Sequence, residues 1–191
     1  MNPRAAASSV PLIEEIAGRW SPRAFDAEHV FLEDALRGAF EAARWAPSAN
    51  NSQPWRFILA HRGTESFAKI EAALLGFNQV WAGSAAALIV NIAVLENAEG
   101  KPQRWAEYDL GQAVAHLSIQ AQADGYQLHQ MGGFDREAIT RDFGLSELLR
   151  PISVMAIGEV GSAAQLPDAL REREEAPRER IALDELFVVR D

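Results

Sequence analysis

A nearly unbroken apolar run, Ala86 to Leu95, constrains the fold of this chain more than any other segment. Asn91 is the one polar residue within it. A strand that is apolar on both faces has both faces covered by other parts of the protein, as in the middle of a layered sheet. The run is also far shorter than the ~20 apolar residues that a membrane-spanning helix needs. We therefore predict a central strand and no membrane span.

Helices and strands are mixed along the rest of the chain. Apolar residues at helical spacing predict helices near residues 12–17 and over residues 30–45, 65–75, 106–124 and 136–143, the last capped by Asp135. Short runs rich in β-branched and aromatic residues predict further strands over residues 55–60, 126–130, 152–160 and 186–190. A chain of this length is most economically a single domain, so we predict one α+β domain over residues 1–191.

The C-terminal part, residues 161–191, changes character. Arg171 to Arg180 is almost wholly charged and is broken by Pro177, which predicts an extended arm. A strand that follows such an arm need not return to its own sheet. Exchange of the terminal strand, Leu186 to Arg190, with a partner chain would cover an exposed sheet edge.

Composition excludes several classes of site. Cysteine is absent, which rules out disulfides, thiolate nucleophiles and iron–sulfur clusters, and the four histidines lack metal-ligand spacing, so no metal site is predicted. A net charge of −9 argues against nucleic acid or an anionic membrane as a partner. Rossmann, P-loop and serine-hydrolase motifs are absent. The first residues lack the apolar core of a secretion signal, so we expect a cytoplasmic protein.

Five segments carry the functional signal, in this order along the chain. They are Arg19-Trp20-Ser21-Pro22-Arg23, Pro47-Ser48-Ala49-Asn50-Asn51-Ser52-Gln53-Pro54-Trp55, Phe77-Asn78, Gly132-Gly133-Phe134-Asp135, and the pair Arg178 and Arg180. By composition alone, the proline-flanked segment is equally an ordinary helix stop and turn. Taken together, the five segments resemble the FMN-dependent nitroreductase family over nearly the whole chain.

The resemblance implies a nitroreductase-like fold, in which a mixed, mainly antiparallel sheet is flanked by helices and the C-terminal strand is exchanged between subunits. It also implies tightly bound FMN. Arginine suits the phosphate of FMN because it forms paired, charge-assisted hydrogen bonds with such a group. The implied cofactor-binding residues are Arg19, Trp20, Ser21, Arg23, Pro47, Ser48, Ala49, Asn51, Asn78, Gly132, Gly133, Arg178 and Arg180.

The implied activity is that of an NAD(P)H-dependent FMN oxidoreductase. NADH or NADPH reduces the flavin, and a small-molecule electron acceptor, such as a nitroaromatic or quinone, then reoxidises it in a ping-pong cycle. The cofactor carries the chemistry, so no catalytic side chain is named. The family also implies a homodimer whose two flavin sites are each built from both chains, with Pro47 to Asn51 facing a flavin whose phosphate the other chain holds.

Two alternatives stay open beside this activity. One is a homodimer that binds FMN without turnover, as a flavin store or interaction module; the other is a dehalogenase-like or flavin-consuming enzyme on the same scaffold. Three departures from the family pattern also bear on function. Gly132 stands where many relatives carry an acidic residue, and Trp81 where some carry a lysine near the flavin. The stretch between Leu95 and Trp105 is short, which predicts a more open or differently roofed substrate pocket.

Overall fold

The computed structural model describes residues 4–190 of the chain. Seven α-helices occur there: α1 (Glu14–Gly18), α2 (Arg37–Arg44), α3 (Glu65–Ala72), α4 (Asn78–Trp81), α5 (Ala106–Ala123), α6 (Arg136–Asp142) and α7 (Asp168–Glu175). Four strands are present: β1 (Trp55–His61), β2 (Ala87–Val94), β3 (Gln127–Met131) and β4 (Leu149–Gly158). Single 3-10 turns cover Ala49–Asn51, Ala82–Ser84, Ala163–Gln165 and Leu183–Leu186.

The four strands form one antiparallel sheet in the order β1-β2-β4-β3. β2 is an inner strand whose residues are buried from Ala87 to Ala93, which confirms the prediction from its apolar run. Its one polar side chain, Asn91, is buried and donates from Nδ2 to Ser153 Oγ at 2.9 Å. The predicted α+β class is confirmed, and β1 and β3 form the two edges of the sheet.

Alternate residues of β2 belong to two hydrophobic cores, one on each face of the sheet. On one face, Leu88 and Val90 pack with α3 and α6. On the other face, Ile89 packs with α2 and with the apolar stripe of α5, which includes Leu110 and Leu117. Within residues 4–190, no helix combines the length and the apolar character needed to cross a membrane.

Three predictions of local structure are wrong in part. The helix predicted over residues 30–45 begins only at Arg37, because turns precede it and Asp34 has a left-handed φ of 68°. The predicted charged arm contains a helix, α7, which buries Leu170 and Glu174. Residues 187–190 form no strand within the described chain. Asp191 lies outside the described residues, and the exchange of this segment between subunits stays a prediction.

Candidate functional site

A basic cavity of about 190 Å³ lies where the N-terminal and C-terminal segments meet. The predicted phosphate-binding arginines, which come from both ends of the chain, line it together. Its lining consists of Arg4, Arg19, Trp20, Ser21, Arg23, Arg173, Ala176, Pro177, Arg178 and Arg180. The sequence placed neither Arg4 nor Arg173 in this set, because each lies outside the quoted motifs.

The arginines of this basic cavity repel one another. Burial lowers the pKa of the Arg19 guanidinium from its ordinary value, and the charges of Arg178 and Arg180 lower it further. The pKa of Arg178 is also lowered, first by burial and then by Arg180 and Arg4. No Asp or Glu of residues 4–190 is among the lining residues. The arrangement therefore favours a small anion, which would relieve the repulsion between the cations.

Two sets of hydrogen bonds join the segments that form the basic cavity. The buried carboxylate of Glu174 on α7 accepts from the backbone N–H groups of Arg23 and Ala24, at 2.9 to 3.1 Å. Arg178 Nη1 donates to the carbonyls of Arg4 and Ala17, at 2.6 and 3.0 Å. Sequence reasoning missed Glu174, although its spacing of four residues from Leu170 would place both on one face of a helix.

A second cavity, of about 410 Å³, adjoins the first and shares Arg19 and Ser21 with it. Its other lining residues come from α1, α5 and β3 and are mostly apolar: Ile16, Ala115, Ser118, Ile119, Leu128 and Gln130. The pair of cavities therefore offers a charged end for an anion and an apolar end for a larger organic group. We call the second one the apolar slot.

Asn78 and Gly133 lie next to each other, as the resemblance implies. Asn78 Nδ2 donates to the carbonyl of Gly133 at 3.1 Å, and Leu75 N donates to the same oxygen at 3.0 Å. A Cβ on Gly133 would lie 3.0 Å from Asn78 Nδ2, so a side chain there would push Asn78 aside. A Cβ on Gly132 would meet nothing within 4 Å, which leaves its backbone open to approach.

The proline-flanked loop lies elsewhere in the single chain, beside the N-terminal end of α5. The loop is held there because the backbone N–H of Ala49 donates to the buried carboxylate of Asp109 at 3.0 Å. Pro47, Ser48 and Ala49 line a cavity with residues of α5, while Asn51 is exposed. Asp109 and Ser118, which lines the apolar slot, are separated along α5 by about 14 Å. The lining of the basic cavity includes no residue of this loop.

Trp81 is part of the core. Its side chain is buried, and its ring lies 4.6 Å from the ring of His129 and 6.2 Å from that of Phe25. Trp81 does not line the basic cavity and supplies no charge to it. Arg173 on α7 is one of the arginines that line this cavity, and its guanidinium also lies 5.3 Å from the Phe77 ring, which connects α7 to the Phe77-Asn78 segment.

The model of the nitroreductase family matches residues 16–159, which is most of the chain. This chain belongs to the nitroreductase family.

Three proteins similar to this nitroreductase-family chain illustrate the match. A crystal structure described as an oxidoreductase containing FMN is 35% identical, with a TM-score of 0.91, and the match covers 100% of this chain and 96% of that one. An uncharacterized 15.4 kDa protein of Mycolicibacterium smegmatis is 36% identical over 69% of this chain and 92% of its own length. A Bacillus subtilis protein named "Putative NAD(P)H nitroreductase YdgI" is 27% identical over 77% of this chain and 87% of its own.

The match to the family model ends before α7, so Arg173, Glu174, Arg178 and Arg180 lie beyond it. Their convergence with Arg19 is a finding of the structure. Half of the residues that line the basic cavity therefore lie beyond the segment that the family model matches.

His129 on β3 gives this nitroreductase-family protein a pH-dependent stability. Burial lowers its pKa to about 4, and the charges of Arg23 and Arg19 act in the same direction. The ordinary value is 6.5. The unfolded chain therefore binds more protons than the folded chain between these two values, and acidification through this window destabilises the fold. Through His129, the free energy of unfolding falls by about 3 kcal/mol as the pH falls from neutral to the pKa of the folded state.

We predict that His129→Gln removes much of this acid sensitivity. Glutamine does not titrate, and its amide can still donate to the Pro22 carbonyl, which lies 2.9 Å from His129 Nδ1. Urea unfolding at pH about 7.5 and about 4.5 measures the free energy of unfolding for both proteins. The difference between the two pH values is expected to be smaller by 1 kcal/mol or more in the variant, within the range given by linkage. Equal pH dependence would mean that His129 is not held neutral by the fold.

Proposed function

We propose that this chain is an FMN-dependent oxidoreductase, which oxidises NADH or NADPH and passes the electrons to nitroaromatics, quinones or similar acceptors in a ping-pong cycle. The observation that carries the proposal is the basic cavity joined to the apolar slot, with Arg19 and Ser21 at their junction. An anionic group tethered to a flat apolar ring system fits this pair of cavities. The relative described as an oxidoreductase containing FMN supports this choice of ligand.

The basic cavity fits the phosphate of FMN. A phosphate monoester carries close to two negative charges and three acceptor oxygens. Arg19 and Arg178, whose pKa values are lowered by burial and by neighbouring cations, gain most from such an anion. Arg180 and Ser21 line the same cavity and supply further donors. Arg23 is less available, because its guanidinium lies 3.6 Å from the Glu174 carboxylate.

The apolar slot and the Gly132-Gly133 segment fit the ring of the same cofactor. Bound FMN supplies the group that accepts and donates hydride. The open space beside Gly132 allows a flat ring to approach the backbone there, and Asn78 fixes the adjoining backbone through its hydrogen bond to the Gly133 carbonyl. These residues bind and orient the ring, and no side chain is assigned as an acid or a base.

A homodimer completes the site in this proposal. Pro47 to Asn51 lie beside the N-terminal end of α5, away from the basic cavity of their own chain, so a second copy has to bring them to the ring. The C-terminal tail, residues 186–191, supports the same arrangement. Its residues Leu186, Phe187 and Val189 are 62%, 47% and 74% exposed in the single chain.

The outer edge of β1 offers a place for the tail of a second copy. This edge has no strand partner within residues 4–190. A largely apolar cavity of about 640 Å³ lies along it, lined by residues that include Leu36, Phe40 and Leu59. In a strand added from a partner's tail, alternate apolar side chains would face this groove and the others would face the opposite side of the sheet, and the strand would cover the edge.

The short connection between β2 and α5 bears on the alternative enzymes. Residues 95–105 fold into a tight turn, in which Asn97 Oδ1 accepts from the N–H groups of Glu99 and Lys101. No helix lies between β2 and α5 in the described chain. Dehalogenase-like and flavin-consuming enzymes generally need a longer lid, so the turn favours a nitroreductase-type reaction on planar acceptors.

Rapid mixing of the purified, FMN-loaded protein with NADH or with NADPH tests the proposal. With oxygen excluded, loss of the flavin absorbance within seconds, followed by its return when a quinone or nitroaromatic is added, is the expected result. Separate traces for the two nucleotides give the preferred donor. A protein that holds FMN but is not reduced by either nucleotide would support the flavin store instead. A protein that binds no FMN would contradict both readings.

A further inference from the structure

We propose that Glu174 is the positioning residue of the basic cavity: its carboxylate joins the N-terminal and C-terminal halves and so determines how tightly the cavity holds a phosphate group. This inference rests on the proposed function in one respect, namely that the phosphate belongs to FMN.

The contacts of Glu174 support this role. Its side chain is buried, with 2% of the residue exposed, and both carboxylate oxygens are used. They accept from the N–H of Arg23 at 2.9 and 3.0 Å, and one also accepts from the N–H of Ala24 at 3.1 Å. These bonds hold the segment that carries Arg19 and Ser21 against α7.

The position of Glu174 along the chain extends its effect to the other half of the cavity. It directly follows Arg173, which lines the cavity, and α7 ends at Glu175, just before Pro177 and Arg178. Fixing α7 therefore also fixes the start of the segment that carries Arg178 and Arg180. The Arg23 guanidinium is held 3.6 Å from the same carboxylate.

Charge repulsion alone would give Glu174 the opposite effect on phosphate binding. An acidic group beside a phosphate site weakens binding of the anion through repulsion. The Glu174 charge is directed instead at two backbone N–H groups and one guanidinium, so its loss would leave these donors unpaired in a buried place. We expect the loss of positioning to outweigh the removal of the negative charge.

Glu174→Gln tests this with little change in shape. The amide keeps one acceptor oxygen but turns an NH₂ group toward a backbone donor. Glu175→Gln is the matched control, because it makes the same charge change at an exposed position of the same helix. Glu174→Asp restores the charge and both acceptors on a shorter side chain, and is expected to recover part of the affinity.

Binding of FMN and riboflavin to the flavin-free proteins separates positioning from general stability, since riboflavin lacks the phosphate. For Glu174→Gln we expect FMN affinity to fall by about tenfold to a hundredfold, the range for losing a charge-assisted hydrogen bond. Riboflavin affinity is expected to stay within about threefold, and Glu175→Gln is expected to change neither. Equal losses for both ligands, unchanged FMN affinity, or tighter FMN binding would each overturn the role of Glu174.

Inorganic phosphate gives a readout that does not depend on FMN. It is expected to raise the melting temperature of the wild-type protein and of Glu175→Gln, and to raise that of Glu174→Gln clearly less. An equal rise in all three would overturn the role of Glu174 even if FMN were not the ligand. A wild-type protein that responds to phosphate but binds no FMN would contradict the proposed function alone. A wild-type protein that responds to neither would contradict both.

Discussion

Deletion of residues 186–191 is expected to convert the proposed FMN-loaded homodimer into a monomer that has lost its flavin. In the single chain residues 186–190 are exposed, Val188 fully, and the Arg190 guanidinium pairs with Asp184 of the same chain. A truncation that removed only such contacts would change the free energy of unfolding by no more than about 0.5 kcal/mol. A large effect therefore requires that the tail be buried by another chain.

The size of the expected effect follows from apolar burial. Leu186, Phe187, Val188 and Val189 would each contribute about 1.5–3 kcal/mol if they were fully buried on the two faces of the partner's sheet at the edge of β1. Both chains of the dimer would lose this contribution. Because Pro47 to Asn51 would no longer meet the basic cavity of the partner, the ring of FMN would lose part of its site at the same time.

A pair of substitutions in the intact tail provides the control. Phe187→Ser with Val189→Ser removes apolar surface and is expected to behave like the deletion. Asp184→Ser with Glu185→Ser changes the preceding turn, which is exposed and acidic, and is expected to leave the dimer intact. Light scattering combined with flavin absorbance measures mass and FMN content together. A truncated monomer with full FMN, or a wild-type monomer with FMN bound, would contradict the shared site.

The sequence predicted those features of the fold that depend on local pattern. β2 is recognisable because burial on both faces leaves an apolar side chain at nearly every position. The cap of α6 is recognisable because Asp135 precedes the helix, and its carboxylate indeed accepts from Ala138 N at 2.9 Å. The family motifs also placed Arg19, Arg178 and Arg180 in one set, and the structure brings them to one cavity.

The features that sequence reasoning missed depend on distant partners. α7 reads as a charged arm because its burial rests on Leu170 and Glu174 alone, and Glu174 is buried only where it meets the backbone of Arg23 and Ala24. The start of α2 was misplaced because apolar spacing continues upstream through turns that the chain closes around Asp34. Residues 186–190 have the sequence pattern of a strand, but they pair with no strand of their own chain among the described residues.

Arg19→Gln is expected to weaken FMN binding strongly while leaving the flavin-free protein as stable as before, or more stable. Its guanidinium makes no hydrogen bond to any of the described residues. Burial and the charges of Arg178 and Arg180 lower its pKa, which means that the folded protein without an anion holds this charge at a cost. Removal of the charge relieves that cost in the empty protein and takes a donor from the phosphate.

Loss of one charge-assisted contact corresponds to about 1.5–3 kcal/mol, or about tenfold to a hundredfold in FMN affinity. Adding Arg180→Gln is expected to weaken binding further, though by less than the product of the single effects, because the two residues share one ligand. Arg23→Ala is expected to weaken FMN retention less than Arg19→Gln does, since Glu174 already holds the Arg23 guanidinium.

Opposite signs for binding and stability distinguish a phosphate ligand from a structural residue. Replacing a structural arginine would lower the melting temperature of the flavin-free protein and would weaken the binding of riboflavin as much as that of FMN. Replacing a phosphate ligand lowers the affinity for FMN alone. Arg136→Gln, at an exposed site on α6, is the control for the change in net charge. Added salt should weaken FMN binding to the wild type more than to Arg19→Gln, because fewer positive charges face the phosphate in the variant. If Arg19→Gln keeps FMN through dialysis with its affinity unchanged, Arg19 is not a ligand of the phosphate, and the basic cavity requires another occupant.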